Sequence, residues 1–182
     1  VKSRIEENME NIQGWIENAE EQVVFEEIIK KLKIDLHTLT QASTIFEVMK
    51  RELAQIKLKI GAADERYIII SSACAHRILD FLIETVNEAQ DNFSSSRKIT
   101  DLQLTIVQST ELTRKLLQLD LNDETRVRVN KNLETIEGIN NSLTAAMTAI
   151  ASRASSSSNI FEKIPVWLWI IGFIFLLSMC RG

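Results

Sequence analysis

The chain predicts an all-α protein: an elongated antiparallel helical bundle or coiled coil of four to five helices, followed by one C-terminal transmembrane helix. Three observations carry this expectation. The 182 residues contain five glycines and a single proline, Pro165, so long helices can run without the breakers and tight turns that a strand-rich fold needs. Apolar side chains recur at steps of three and four through most of the chain, which is the period of one helix face. Residues 164–180, IPVWLWIIGFIFLLSMC, carry no charged side chain. At roughly 1.5 Å rise per residue these measure about 25 Å, the length of a minimal membrane span.

The pattern divides the chain into a helical body over residues 1–151, a Ser-rich linker at 152–159 and an anchor at 160–180. The body opens on a heptad seam, Ile5, Met9, Ile12, Ile16, Ala19 and Val23, ringed by glutamates. Continuing it would bury Glu26 and Lys30, so the register must slip near Val23, through a short turn or a coiled-coil discontinuity, of which the turn is the one expected. A new seam starts at Phe25, Ile28 and Leu32. A regular one follows at Leu39, Ala42, Phe46, Met49, Leu53, Ile56 and Ile60. Thr38 and Gln41 have the spacing of a capping box at its start. Gly61 suits its end, with Lys57 and Lys59 in the last turn.

Asp64 is the expected N-cap of the third stretch, which uses Ile68, Ala75, Ile78, Leu79, Leu82, Val86 and Phe93 and stops at Ser94-Ser95-Ser96. Its run Tyr67-Ile68-Ile69-Ile70 is β-prone locally, but the helical period of the longer stretch outweighs it. Thr100 with Gln103 again has capping-box spacing, ahead of Leu102, Ile106, Leu112, Leu116 and Leu119. A break is expected over residues 120–123, with Asn122 or Asp123 as cap. The last helix of the body is the most regular: Val129, Leu133, Ile136, Asn140, Leu143, Met147 and Ile150. The serines that follow read as a flexible linker.

In the anchor, Trp167 and Trp169 sit at one end, where indole rings favour the headgroup boundary, and Pro165 falls in the first turn, where its missing N–H does no harm. Ile170, Ile171, Phe173, Phe175 and Leu176 fill the apolar middle. Membrane lipid is therefore an expected partner. A segment at this position in the sequence leaves the ribosome late, so the body is expected to stay in the cytoplasm. The short run suits a thin bilayer.

Chemistry is sparse. A net charge of −4 offers no basic surplus for phosphates, so nucleic acid is not an expected partner. The two cysteines, Cys74 and Cys180, make no disulfide framework, which favours a reducing compartment for the body. Only His37 and His76 are present. Cys74 and His76 lie two apart on a helix and project roughly 200° from each other, so they cannot share a metal ion. His76, beside Arg77, reads as a helix-surface residue. No glycine cluster cradles phosphate. The expectation is a protein that is not an enzyme and needs no metal or other cofactor.

What remains is a membrane-anchored interaction or scaffold module that acts through amphipathic helices. The partner would be a helical protein or a second copy, met along Leu39, Phe46, Met49, Leu53, Ile56 and Ile60, or along Leu133, Ile136, Leu143, Met147 and Ile150. Over residues 101–180 the order of heptad helix and terminal span resembles that of SNARE proteins, which implies membrane fusion or tethering. That family carries Gln or Arg at the centre of an unbroken heptad run. Here Gln108 and Arg126 flank a break, and a linker separates helix from span. A membrane-tethered signalling or sensor bundle is the third reading.

Overall fold

A computed structural model describes residues 19–96 and 99–156. Among them the chain forms five α-helices and no strand: α1 Ala19–Leu32, α2 Leu39–Ile60, α3 Glu65–Ser96, α4 Ile99–Leu116 and α5 Asp123–Ser156. The chain divides into two units, residues 1–143 and 144–182. Residues 19–143 are the helical bundle, and the described part of the second unit, 144–156, is helical throughout.

Within the bundle α3 packs on α1, α2 and α4, while α2 also packs on α1 and α4. The residues of α3 explain its central place. Ser71, Ser72, Ala73, Cys74, Ala75 and His76 are consecutive and all buried. Six buried neighbours span more than a full turn, so this stretch is enclosed on every side. Small side chains let the surrounding helices approach, and α4 answers with buried Ser109, Thr110 and Thr113. Thr110 and Thr113 satisfy their hydroxyls on the carbonyls of Ile106 and Ser109 within the helix, each at 2.8 Å.

Helix directions follow from the rungs between them. Lys115 meets Glu47, Lys50 meets Gln118 and Lys57 meets Asp120, so α2 and α4 run the same way. Tyr67, in the first turn of α3, reaches Asp120 just beyond α4, so α3 runs against both. The four-residue connection between α2 and α3 fits that reversal.

The regular seam of α2 turns inward. Ala42, Phe46, Met49, Leu53 and Ile56 are buried in the core, with Leu39 and Ile60 packed at its edge. Each such large side chain contributes about 1.5–3 kcal/mol by leaving water. In α5, Val129, Ile136 and Leu143 are buried, whereas Leu133, Asn140 and Met147 are half-buried.

The helix ends obey their caps. Thr38 has extended backbone (φ −142°) and its hydroxyl accepts from the Gln41 N–H. Gln41 closes the box one residue early, taking the His37 N–H at 3.0 Å through Oε1. Gly61 adopts φ +95°, a conformation that disfavours a β-carbon, and its N–H reaches the Lys57 carbonyl. Asp64 accepts from the Arg66 N–H at 2.9 Å. Asn122 accepts from the Thr125 N–H at 2.8 Å and opens α5. The β-prone run at Tyr67 is helical.

Some boundaries differ from the sequence expectation. No turn falls at Val23: α1 runs through it, and the slip is absorbed by rotation of the buried face. Val23 is 62% exposed while Phe25, Ile28, Ile29 and Leu32 are buried. The break in helix lies instead at residues 33–38. Ser94, Ser95 and Ser96 belong to α3 rather than to a loop, and Thr100 lies in the first turn of α4, not at its cap. Helix α5 reaches Ser156, inside the stretch expected to be a linker. No helix among the described residues is long and apolar enough to cross a membrane. The expected anchor at 160–180 and the first seam from Ile5 to Ile16 lie outside the described residues, as does the side chain of Ile150.

Candidate functional site

Three places on the bundle gather polar groups. The first is a node at one end of the bundle. The Asp120 carboxylate accepts from the Tyr67 hydroxyl at 2.6 Å and from Lys57 at 2.8 Å, and Lys57 also lies 5.9 Å from the centre of the Tyr67 ring. The two contacts are not equal. Lys57 and Asp120 are 43% and 42% exposed, and an ion pair that open contributes at most about 1 kcal/mol. Tyr67 is 4% exposed, so its hydroxyl has little access to another acceptor. Burial, and then the Asp120 charge, push the Tyr67 phenol far above its ordinary range. The hydrogen bonds from Lys57 and Tyr67 hold the Asp120 carboxyl below the usual aspartate value.

Asp120→Ala is therefore expected to destabilise the bundle by about 1–3 kcal/mol, the cost of leaving one buried hydroxyl unpaired. Because the folded carboxyl is the stronger acid, its contribution is present at neutral pH and fades as pH falls below about 4. Urea midpoints of wild type and variant should accordingly converge at low pH. A gap that stays constant with pH would remove Asp120 ionisation from the account.

The second place is the groove between α2 and α4, with a cavity volume of about 520 Å³. Its walls carry Glu47 and Arg51 from α2 and Glu111 and Lys115 from α4, over an apolar floor that includes Val48 and Leu112. Lys115 lies 3.8 Å from Glu47 and 3.6 Å from Glu111. Charges of both signs line it, and the exposed Leu104 and Val107 lie one turn before Gln108 and Glu111 on the same helix.

The third is the junction that holds the start of α5 on α3. Arg128 donates from Nη2 to Asp80 at 2.6 Å, and Nη1 lies 2.6 Å from Nδ1 of His76. The other ring nitrogen of His76 is 3.0 Å from the Thr125 hydroxyl. One turn away the Asn122 N–H donates to the Ser72 hydroxyl at 3.1 Å. His76 is thus not the surface residue expected from Arg77 beside it: it is 7% exposed. The reason is the enclosure of α3, and the signal was present as an uncharged run of ten residues between Arg66 and Arg77. Arg77 points away, to the Ile34 carbonyl at 2.8 Å.

The seam residues proposed from periodicity are distributed unevenly among these places. Phe46, Met49, Leu53 and Ile56 lie in the core and line none of them, and Leu39 alone reaches the groove. Ile136 and Leu143 are buried further along α5 than the His76 junction, and Leu133 and Met147 are half-exposed there. Cys74 is buried, and burial, with the Glu52 charge adding to it, pushes its thiol far up, which leaves it unreactive. Among the described residues no three metal-ligating side chains converge.

No family model matches this chain, and no curated protein or solved structure is similar to it.

Proposed function

We propose that this chain is a membrane-anchored helical interaction module, a scaffold that meets protein partners through helix surfaces while its C-terminal apolar segment lies in a bilayer. The observation that carries the reading is the uncharged run 164–180 with its paired tryptophans, in a chain whose preceding described residues are helical. The packing of the bundle supports the choice of contact surface. With the α2 seam buried, the exposed apolar side chains of α4 are Leu104 and Val107, 58% and 45% exposed, one turn before the groove-lining Gln108 and Glu111. An open groove with an apolar floor and charged walls suits a helical segment of another protein.

The test compares the full chain with one ending at Asn159, both expressed in cells. The full chain is expected to stay with membranes through alkaline carbonate extraction and the short one to be released. A photo-crosslinking residue in place of Val107 is expected to capture a protein partner, and one in place of Leu58 is not. Release of the full chain by carbonate would overturn the anchor, and equal capture from both positions would overturn the groove.

A further inference from the structure

We propose that the His76–Arg128 contact is an acid-sensitive latch that holds the first turns of α5 on α3 at neutral pH and releases them when the imidazole is protonated. The argument starts from hydrogen-bond chemistry. An Arg guanidinium only donates, so with Nη1 at 2.6 Å the Nδ1 of His76 must accept. Nε2 then carries the ring proton and donates to the Thr125 hydroxyl at 3.0 Å. Both nitrogens are committed, and only the neutral imidazole satisfies the arrangement. A second proton at Nδ1 would set two donors, both cationic, against each other at hydrogen-bond distance.

The charges around the ring do not reverse this. Asp80, one turn along α3, favours an imidazolium, but it already accepts from Arg128 at 2.6 Å, and it is 41% exposed, which weakens its field. From α5 the facing charge is Arg128, with Glu124 one turn earlier on the exposed side of that helix. Several other charges of the neighbouring elements have partners of their own. Arg77 turns to Ile34 and Asp35, and Asp120 binds Lys57 and Tyr67. Glu52 of α2 pairs with Lys31 of α1, and Arg114 of α4 pairs with Glu137. The nearest positive charge is the one that blocks protonation.

The contact sits where α5 depends on it. Val129, fully buried, follows Arg128 directly, while Val127 on its other side is 67% exposed. When Arg128 withdraws from the ring, the segment from Thr125 to Val129 loses one of its polar ties to α3 and its only deeply buried apolar side chain, Val129, loosens with it. The latch therefore controls access to the first position of the α5 seam. An imidazole free in water takes up its proton near pH 6.5. Since the latched state excludes that proton, the latch is firm above about pH 6.5 and weakens below it, by up to about tenfold in the opening equilibrium for each pH unit.

The inference stands apart from the proposed function, because it is read with no partner present. Hydrogen exchange of the full chain in detergent micelles, corrected for the intrinsic pH dependence, tests it at neutral pH and one to two units below. Amides at the start of α5 are expected to lose protection on acidification, up to about tenfold per unit, while those of the α2 core do not. His76→Gln, which keeps a polar side chain that does not titrate, is expected to abolish the response, and His37→Gln to leave it intact. Unchanged protection in the wild type, or a response that survives in His76→Gln, overturns the latch. Should His76→Gln fail to fold, the His76 ring resonances of the wild type decide: titration in step with α5 signals supports the latch, and titration without them overturns it.

Discussion

Phe46→Ala is expected to lower the stability of the bundle by about 3–5 kcal/mol, the range for truncating a buried aromatic side chain. Phe46 is 1% exposed and sits mid-seam on α2, between Ala42 and Met49 in the same core. The loss combines the transfer free energy of the ring with the cavity it leaves, because helices fixed by neighbouring contacts relax only partly. Against a total of about 5–15 kcal/mol for a domain of ordinary stability, this removes a large share. Leu58, on the same helix but 87% exposed, is the internal comparison, and Leu58→Ala should change stability by no more than about 0.5 kcal/mol. Urea unfolding followed by circular dichroism measures both. Similar losses for the two variants would mean that the α2 seam is not the face turned to the core.

The second large effect concerns the ion pair between α1 and α2. Lys31 lies 2.7 Å from Glu52, with the two side chains 19% and 20% exposed, and 3.4 Å from Glu27. Burial works against the charge on Lys31, yet the carboxylates of Glu52 and Glu27 together raise its pKa. The second oxygen of Glu52 is buried and accepts no hydrogen bond. Lys31→Met therefore leaves a mostly desolvated carboxylate with no cation beside it, and a cost of about 2–3 kcal/mol is expected. The double variant Lys31→Met with Glu52→Leu removes both charges and fills the site with apolar groups, and should return to within about 1 kcal/mol of wild type. The signature is non-additivity in a double-mutant cycle. If the double variant is as unstable as the sum of the two single ones, the two charges act independently and the desolvation argument fails.

Both predictions rest on a face that periodicity alone identified. Leu39 to Ile60 recur at steps of three and four, and every inner position of that series is buried. The caps were equally legible, because Thr38, Gly61, Asp64 and Asn122 act through chemistry local to one turn. What periodicity does not carry is the depth of burial. Helix α3 presents an apolar stripe like its neighbours, yet it is enclosed all round over residues 71–76. For that reason His76 is buried although the charged Arg77 beside it suggests a surface position. The register slip at Val23 shows the same limit. A one-residue change of seam is compatible with a turn or with a helix whose buried face rotates, and the choice falls to the packing of Phe25 and Ile28 on α2 and α3.

The helical character of the described body, the caps at Thr38, Gly61, Asp64 and Asn122, and the apolar stripe of α2 were legible in the order of the residues. These depend on interactions within three or four residues, so they are written locally. The central place of α3, the inward turn of the α2 seam and the closure of Arg128 from α5 on His76 and Asp80 come from packing between helices. Those contacts join residues about fifty positions apart. They are selected by how five amphipathic surfaces exclude water together, and no single stretch of the chain specifies that.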